Sequence, residues 1–315
     1  MKKHTLLWDK LFIVSTLVLS ACGEEESADD TVDPAEDEEE VEEESGDEEA
    51  EEDAPAPEDT DPIEIGYNNW AENIAVSNMW KLLLEEEGYE VELTNLEKTG
   101  VFAGVASGDL DIGTEVWLPH TDEPHIEEYG DDFAIQDLWY ENTELGLVVP
   151  EYMEDIESIE DLHEYEEELN QNIVGIEPGA ALMENTEVVL EEYELDYDLQ
   201  SSSEQAMMTE LDSAYQNEEP IVVTLWSPHW AFADYDLKYL EDTEGIYGEA
   251  DDIVFITREG FDKEYAPVIE WMNNSFFDDE SLGELMSIIN DLEDPEEGAA
   301  EWIEENRELV DEWID

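Results

Sequence analysis

Three tryptophans hold equivalent places in the sequence, each just after a short apolar run that is typical of a buried β-strand. Trp70 follows the run at 62–68, Trp117 follows 112–116, and Trp226 follows 221–225. Ligands of open α/β sheets bind beyond the carboxyl ends of the strands. An isolated tryptophan in such a place is more often a core residue, but the threefold recurrence predicts a shared aromatic site.

Three indole faces suit a quaternary ammonium group. Such a group has no N–H donor and a diffuse charge, so aromatic rings hold it by cation–π attraction, at ~0.5–2 kcal/mol for each desolvated ring. The sequence leaves the role of Trp139 and Trp230 open. The other tryptophans are interpreted as packing residues or as part of the N-terminal segment: Trp80, Trp271, Trp302, Trp313 and Trp8.

A ligand that also carries a carboxylate needs hydrogen-bond donors, and the sequence offers two. Gly179 turns a strand into a helix whose first amides, at Ala181 and Leu182, are free to bind an anion. His120 lies three residues beyond Trp117. Either feature also has a plain structural explanation, as a tight turn and as a surface histidine, and both alternatives stay open.

Strands and helices alternate along the chain, which predicts an α/β protein with parallel sheets covered on both faces. Two such runs predict two lobes, one formed by 62–149 with 253–315 and the other by 150–252, with a ligand cleft between them. The predicted strands are 62–68, 89–96, 110–116, 145–149, 173–176, 221–225 and 253–257. The predicted helices are 72–87, 101–107, 158–169, 180–193, 204–216 and most of the chain after 262.

The chain is extremely acidic, with 95 Asp and Glu against 9 Lys and Arg and a formal net charge of −86 among 315 residues. This charge excludes nucleic acid as a partner. Self-repulsion of this size destabilises a compact state unless salt screens it. We therefore expect a saline external medium and a domain that loses stability when salt is diluted.

The first 61 residues indicate export and anchoring rather than a folded domain. Residues 1–21 have the basic start and short apolar run of a signal peptide. Cys22, the sole cysteine, ends a lipobox-like Leu19-Ser20-Ala21-Cys22 and is the predicted lipidation site. The rest of 22–61 is predicted to be a disordered acidic linker, with 23 acids and no base from 23 to 61.

Six short motifs together resemble the substrate-binding lipoproteins of glycine betaine and related osmoprotectant ABC importers. The resemblance implies a type II periplasmic-binding-protein fold, with Trp70, Trp117 and Trp226 as the ammonium cage and the Ala181 and Leu182 amides on the ligand carboxylate. The motifs are Tyr67-Asn68-Asn69-Trp70, Ser107-Gly108-Asp109-Leu110-Asp111, Trp117-Leu118-Pro119, Leu145-Gly146-Leu147-Val148-Val149-Pro150, Gly175-Ile176-Glu177-Pro178-Gly179-Ala180 and Trp226-Ser227-Pro228-His229-Trp230.

The chain departs from the family pattern after Trp117. The resemblance implies a histidine in Trp-Leu-Pro-x-Thr-His, but here the histidine is His120 and Asp122 occupies the usual position. An inward Asp122 would repel a carboxylate and favour choline, whereas an inward His120 would suit a betaine. Gly179, His229 and Trp230 complete the candidate ligand-binding residues.

The expected function is an extracytoplasmic, lipid-anchored receptor that delivers glycine betaine or a related betaine to an ABC permease and its ATPase. We expect a monomer without a cofactor and without enzymatic activity, since no nucleophile–base pair or phosphate loop occurs. A choline receptor is the alternative within the class. A zinc-binding lipoprotein using His120, His125 and His229 is a remote alternative, because their spacing lacks helical ligand geometry.

Overall fold

The structure, a computed structural model, describes residues 61–314; the predicted signal peptide, Cys22 and the linker to residue 60 lie outside them. The strands in this range are β1 Ile63–Tyr67, β2 Val91–Asn95, β3 Ile112–Leu118, β4 Phe133–Tyr140, β5 Glu144–Pro150, β6 Asn172–Val174, β7 Asp198–Gln200, β8 Val223–Ser227, β9 Leu237–Tyr239 and β10 Asp252–Arg258. They form two five-stranded sheets, in the orders β2-β1-β3-β10-β4 and β7-β6-β8-β5-β9. Each sheet with its helices is called a lobe.

The helices are mostly those that the sequence predicts, with shifted ends. They are α1 Ala71–Glu86, α2 Lys98–Ser107, α3 Glu123–Tyr129, α4 Ala181–Glu192, α5 Glu204–Asn217, α6 Ala231–Asp234, α7 Phe261–Glu264, α8 Ala266–Asn274, α9 Asp279–Leu292, α10 Pro295–Glu305 and α11 Arg307–Ile314. None of the helices in the described part of the chain has the length and apolarity that a membrane crossing requires.

The prediction of parallel sheets is only partly confirmed, because both sheets are mixed. In the first lobe β1 runs parallel to β2 and β3, but β10 runs antiparallel to β3 and β4. In the second lobe β5 runs antiparallel to β8 and β9. A parallel neighbour needs a crossover, usually helical. The chain instead enters β5 and β10 by passing from one lobe to the other. The apolar run of a strand does not show whether the strand runs parallel or antiparallel to its neighbours.

The predicted lobe boundary at 149/150 misplaces β5. This strand begins four residues after β4 ends, yet it pairs with β8 and β9 in the second sheet. The first passage between lobes therefore lies at 141–143, where Asn142 adopts a left-handed conformation at φ 64°. Strand β4, at the edge of the first sheet, was not predicted, and neither were the short strands β7 and β9.

The predicted helix at 158–169 is also wrong, since only a 3₁₀ helix, Ile159–Glu164, forms there. Its first turn has the predicted capping box between Ser158 and Asp161. The following segment carries Glu164 and Glu168 at i and i+4, and like charges at that spacing destabilise an α-helix.

The first lobe has a dense core built on α1. Met79, Trp80 and Leu83 of this helix are buried at 0–1% exposure. Trp80 meets Phe255 of β10 edge-on, with 6.3 Å between ring centroids. The apolar spacing of α1 thus orients the helix so that its N-terminus, next to Trp70, lies at the edge of the sheet.

Several other tryptophans are packing residues, as predicted. Trp302 and Trp313 are buried and stack with 6.3 Å between ring centroids. Trp139, whose role the sequence left open, is fully buried and donates its indole N–H to the backbone oxygen of Thr114 at 2.9 Å. These rings belong to the core of the first lobe.

Candidate ligand-binding site

A cavity of about 310 Å³ opens between the two lobes. It is called the interlobe cavity here. Seven predicted site residues line it: Trp70, Trp117, Asp122, Gly179, Ala181, Leu182 and Trp226. Both lobes contribute, since the first three belong to the first lobe and the others to the second. The structure thus brings together the residues predicted for both ends of a ligand.

The three tryptophans reach the cavity from slightly different positions than the sequence predicts. Trp70 immediately precedes α1, whereas Trp117 and Trp226 lie within β3 and β8, one residue before each strand ends. Trp70 and Trp226 meet edge-to-face, with 6.5 Å between ring centroids and 61° between planes. Trp117 and Trp226 are each followed by one residue and a cis proline, Pro119 and Pro228.

Two of the indoles are oriented by carboxylates of the opposite lobe. Trp70 of the first lobe donates its Nε1–H to Oε1 of Glu177 at 2.5 Å. Trp226 of the second lobe donates its Nε1–H to Oε2 of Glu72, on α1, at 2.9 Å. This reciprocal pair therefore fixes two ring orientations and joins the lobes across the cavity.

The third indole is oriented within its own strand. Glu115 and Trp117 lie on the same face of β3, two residues apart, and the Trp117 Nε1–H donates to Oε1 of Glu115 at 2.9 Å. Each of the three tryptophans thus donates its N–H to a glutamate. These hydrogen bonds engage only the N–H edges of the rings, although Nζ of Lys98 lies over the Trp70 ring, 5.1 Å from its centroid.

Asp122 is engaged by its own loop and by a lysine. Its Oδ2 accepts the backbone N–H of Trp117 at 2.8 Å and lies 3.0 Å from Nζ of Lys98, at the start of α2. Lys98 Nζ also donates to the backbone oxygen of Glu115 at 3.1 Å and lies 5.1 Å from the Trp70 ring centroid. The charge of Asp122 is therefore balanced at the wall of the cavity.

His120 is exposed and is not among the residues that line the interlobe cavity, which corrects its predicted role. Its backbone N–H donates to Oδ1 of Asp251 at 2.7 Å, and that of Thr121 donates to Oδ2 at 2.8 Å. These bonds hold the loop after β3 with His120 on its outer side. His125, on α3, does line the cavity. Its ring stacks on Phe102 with 4.6 Å between ring centroids.

The N-terminus of α4 presents free amides to the cavity. Gly179 adopts φ 95°, which favours glycine, and Ala180 caps the helix without a side-chain bond. The first intrahelical donor is the amide of Met183, which bonds to the Ala180 oxygen at 2.9 Å. Within residues 61–314 the amides of Ala181 and Leu182 have no acceptor. A helix of 12 residues with open amides attracts a carboxylate.

His229 and Trp230 do not line the cavity, so their predicted contact with a ligand is not supported by its geometry. His229 is buried behind Trp226, with 4.8 Å between ring centroids, and its Nε2 lies 3.2 Å from Oε1 of Glu204. Oε2 of Glu204 accepts the amide of Ala71 from the other lobe at 3.1 Å. These residues support the Trp226 ring and the contact between lobes.

Burial and crowding of carboxylates shift several pKa values at the site. Burial, with Glu115 and Glu204 nearby, raises the pKa of Glu72 well above its usual range. Burial, opposed by Lys98, raises the pKa of Glu115 to about 7. The pKa of Lys98 is raised above its usual value. Burial alone would lower it, but the neighbouring carboxylates, first of all Asp122, outweigh the effect of burial. Lys98 is therefore an ammonium ion.

Sequence reasoning missed several lining residues, namely Glu72, Lys98, Glu115 and His125. A signal existed for some of them. Glu115 is two residues from Trp117 and must share its face in a strand. No cluster of three or more His, Cys, Asp or Glu between residues 61 and 314 has the arrangement of a metal site.

The fold and the cavity define a two-lobed substrate-binding protein that encloses a small ligand between its lobes. Residues 61–305 match the family model described as the substrate-binding domain of ABC-type glycine betaine transport systems. The chain belongs to this family, which confirms the resemblance seen in the sequence. Family members of this kind bind transported substrates, so the expectation of a binding protein rather than an enzyme is also confirmed.

Individual relatives agree with the family match. A glycine betaine/carnitine transport binding protein of Listeria monocytogenes serotype 1/2a is 40% identical over 152 residues, which cover 47% of this chain and 51% of that protein. The match thus spans about half the length of that relative. The solved structure of a lactococcal protein in complex with glycine betaine is 33% identical, covers 81% of this chain and all of its own, and has a TM-score of 0.75.

A choline-binding protein of an ABC transporter, solved in complex with choline, is also similar. It is 26% identical, with a TM-score of 0.72, and the match covers 80% of this chain and 91% of that one. Together these structures confirm the predicted two-lobed binding-protein fold.

Proposed function

We propose that this protein is the lipid-anchored, extracytoplasmic substrate-binding subunit of an ABC importer and carries glycine betaine or a related betaine. The observation that carries the proposal is the meeting of Trp70, Trp117 and Trp226 with the free amides of α4 in one interlobe cavity. This cavity has aromatic faces for a quaternary ammonium and donors for a carboxylate. A betaine joins these two groups in one small molecule.

The ammonium end of the ligand is held by the indole faces. Each desolvated ring contributes ~0.5–2 kcal/mol of cation–π attraction. The glutamates that accept the indole N–H groups hold the rings in place, so little rotamer entropy is lost when the ligand enters. The nearby carboxyl group of Glu115 adds a field that favours positive charge where it is ionised, above about pH 7.

The carboxylate end of the ligand is held by the amides of Ala181 and Leu182. The positive end of the α4 dipole favours an anion there. Because the amides belong to the second lobe and Trp70 and Trp117 to the first, a betaine bridges the lobes. The hydrogen bonds from Trp70 to Glu177 and from Trp226 to Glu72 close the cleft in the same arrangement. Ligand binding and lobe closure therefore support each other.

A choline receptor is the second candidate, and a specific observation favours it. Oε1 of Glu72 and Oε2 of Glu115 are buried and have no hydrogen-bond partner within residues 61–314. A ligand hydroxyl is a donor for such an oxygen, and a net cation is attracted by Glu115 where that group is ionised, above about pH 7. Choline offers both properties, whereas glycine betaine has neither a hydroxyl donor nor a net charge.

Titration of intrinsic tryptophan fluorescence, followed by calorimetry, tests the proposal and separates the two candidates. Glycine betaine, proline betaine, carnitine and choline are compared at high salt, with proline as a ligand that lacks a quaternary ammonium. We expect saturable binding of the betaines and weaker binding of choline. Tighter binding of choline would favour the second candidate, and no binding of any quaternary amine would refute both.

A tryptophan pair tests the cage. Trp226→Ala removes an indole from the cavity and should abolish binding. Trp271→Phe changes a partly buried ring that does not line the cavity and packs against Tyr89, so it should bind as the unmodified protein does. Equal affinity of the two variants would exclude Trp226 from the cage.

The anchoring part of the proposal rests on the sequence before residue 61. Cys22 ends the lipobox-like segment, and two or more acyl chains give stable membrane attachment where one gives only marginal binding. In cells fed a labelled fatty acid, the protein should carry the label in the membrane fraction. Cys22→Ser should lose the label and be released, and retention of the label would contradict the assignment.

A further inference from the structure

Lys98 is the one Lys or Arg among the described residues that line the interlobe cavity. It is the first residue of α2, and its side chain is 11% exposed. Only nine basic residues occur in the chain, and burying a lysine costs desolvation free energy. A buried ammonium at a ligand cavity in so acidic a chain therefore calls for a functional explanation.

The Lys98 ammonium has a hydrogen-bond donor to spare. Two of its three N–H groups have acceptors, Oδ2 of Asp122 at 3.0 Å and the backbone oxygen of Glu115 at 3.1 Å. Oε1 of Glu115 lies 3.6 Å from Nζ, just beyond hydrogen-bond distance. That oxygen already accepts the indole N–H of Trp117. The third N–H of Lys98 is thus available to a ligand.

We propose that Lys98 binds the carboxylate of the ligand and so determines the preference for zwitterionic betaines over choline; this rests on the proposed function. Lys98 Nζ lies 5.1 Å from the ring centroid of Trp70. In glycine betaine one methylene separates the ammonium nitrogen from the carboxyl carbon. A ligand whose ammonium group lies against Trp70 therefore has its carboxylate within reach of Lys98.

The pair of Lys98 and Asp122 also removes an obstacle to an anionic group. A free Asp122 in the cavity would repel a ligand carboxylate, but its Oδ2 is engaged by Lys98 and by the amide of Trp117. A carboxylate has two oxygens, so one is bound by Lys98 of the first lobe and the other by the amides of Ala181 and Leu182 of the second. Choline has no carboxylate and can make neither contact.

Calorimetric titration of the full-length protein with glycine betaine and with choline tests the proposal. The variants are Lys98→Met, which keeps the length of the side chain, and Lys98→Met with Asp122→Asn, which also removes the unbalanced carboxylate. Lys81→Met is the matched control, since Lys81 pairs with Glu85 and Glu296 on the surface, away from the cavity.

Lys98→Met should weaken glycine betaine binding by about tenfold or more, as expected when a charged hydrogen bond is lost. Choline affinity should stay the same or increase. The double variant should show the same loss for glycine betaine, because the lost contact is with the ligand. Lys81→Met should bind both ligands as the unmodified protein does.

Two outcomes would overturn the proposal. One is an unchanged ratio of glycine betaine to choline affinity in Lys98→Met. The other is restored glycine betaine affinity in the double variant, which would mean that Lys98 only neutralises Asp122. If Lys98→Met alone does not fold, the glycine betaine affinity of the charge-balanced double variant decides whether Lys98 binds the ligand or only neutralises Asp122. Failure of the proposed function is distinct, since the unmodified protein would then bind no betaine.

Discussion

The indole N–H of Trp226, in the second lobe, donates to Oε2 of Glu72, in the first lobe, at 2.9 Å. Glu72 is fully buried at the start of α1, and the two residues are 154 positions apart in the chain. Trp70 makes the reverse contact, from the first lobe to Glu177 of the second. Each lobe thus orients an indole of the other, so the geometry of the aromatic site depends on how closely the lobes approach.

Replacement of Glu72 tests this contact. Glu72→Ala leaves the buried indole N–H of Trp226 without an acceptor, and we expect a loss of about 1–3 kcal/mol in the free energy of unfolding. Glu72→Gln keeps an acceptor oxygen and removes a crowded carboxyl group, so it should be clearly more stable than Glu72→Ala. Urea unfolding measures both, with Glu304→Ala, an exposed site on α10, as the control. Equal stability of the alanine and glutamine variants would contradict the role of the hydrogen bond.

Ala181→Pro tests the anion end of the cavity by removing a single donor. Ala181 is the first residue of α4, where proline is favoured, and Ala180 has the extended conformation (φ −74°, ψ 138°) that precedes proline. The helix should therefore persist without this amide N–H. Loss of a hydrogen bond to a charged group should weaken glycine betaine binding by roughly 10- to 100-fold.

Choline affinity should not change in Ala181→Pro, because choline has no carboxylate. His120→Ala is the companion variant, since His120 is exposed and outside the cavity lining. It should bind glycine betaine as the unmodified protein does. The assignment fails if His120→Ala lowers the affinity and Ala181→Pro does not, as measured by calorimetry.

The parts of the site that were predicted from the sequence are those that local patterns encode. Apolar runs place Trp117 and Trp226 near strand ends, and the Gly179 turn places the Ala181 and Leu182 amides at a helix start. These features depend on residues within a few positions of one another. For that reason they are present in the structure even though some element boundaries differ.

The carboxylates of the site could not be predicted in this way. In a chain with 95 acidic residues a glutamate carries little information, and the contact between Trp226 and Glu72 arises only when two distant segments meet. The place of β5 was missed for a similar reason, because an apolar run does not specify its partner strand. Lys98 was the exception that could have been singled out, since bases are rare in the chain.

The raised pKa of Glu115 predicts a pH dependence of stability. Its pKa is about 7 in the folded protein, against an ordinary value of 4.5. Between these values the folded chain keeps a proton that the unfolded chain has lost, so the contribution of Glu115 to the free energy of unfolding decreases as pH rises through this window. Above about pH 7 this contribution is constant.

Glu115→Gln removes that titration and keeps an acceptor for the indole N–H of Trp117. Relative to the unmodified protein, its free energy of unfolding should increase from pH 5 to pH 7 and then level off. Urea unfolding at intervals across this range measures the difference. Burial also raises the pKa of Glu72, so the Glu115→Gln variant itself keeps some pH dependence of the same sign as the unmodified protein. A difference that does not vary with pH would show that Glu115 titrates normally.

The net charge of −86 predicts that the folded state is stabilised by salt. Charges on a compact acidic surface repel one another, and the repulsion is screened over ~10 Å at about 0.1 M salt but over ~3 Å at about 1 M. The melting temperature should therefore rise with NaCl across this range. Sucrose at matched osmolality is the control, because it is excluded from the surface without screening charge. If sucrose gives the same rise, or if NaCl gives none, charge screening is not what stabilises the domain.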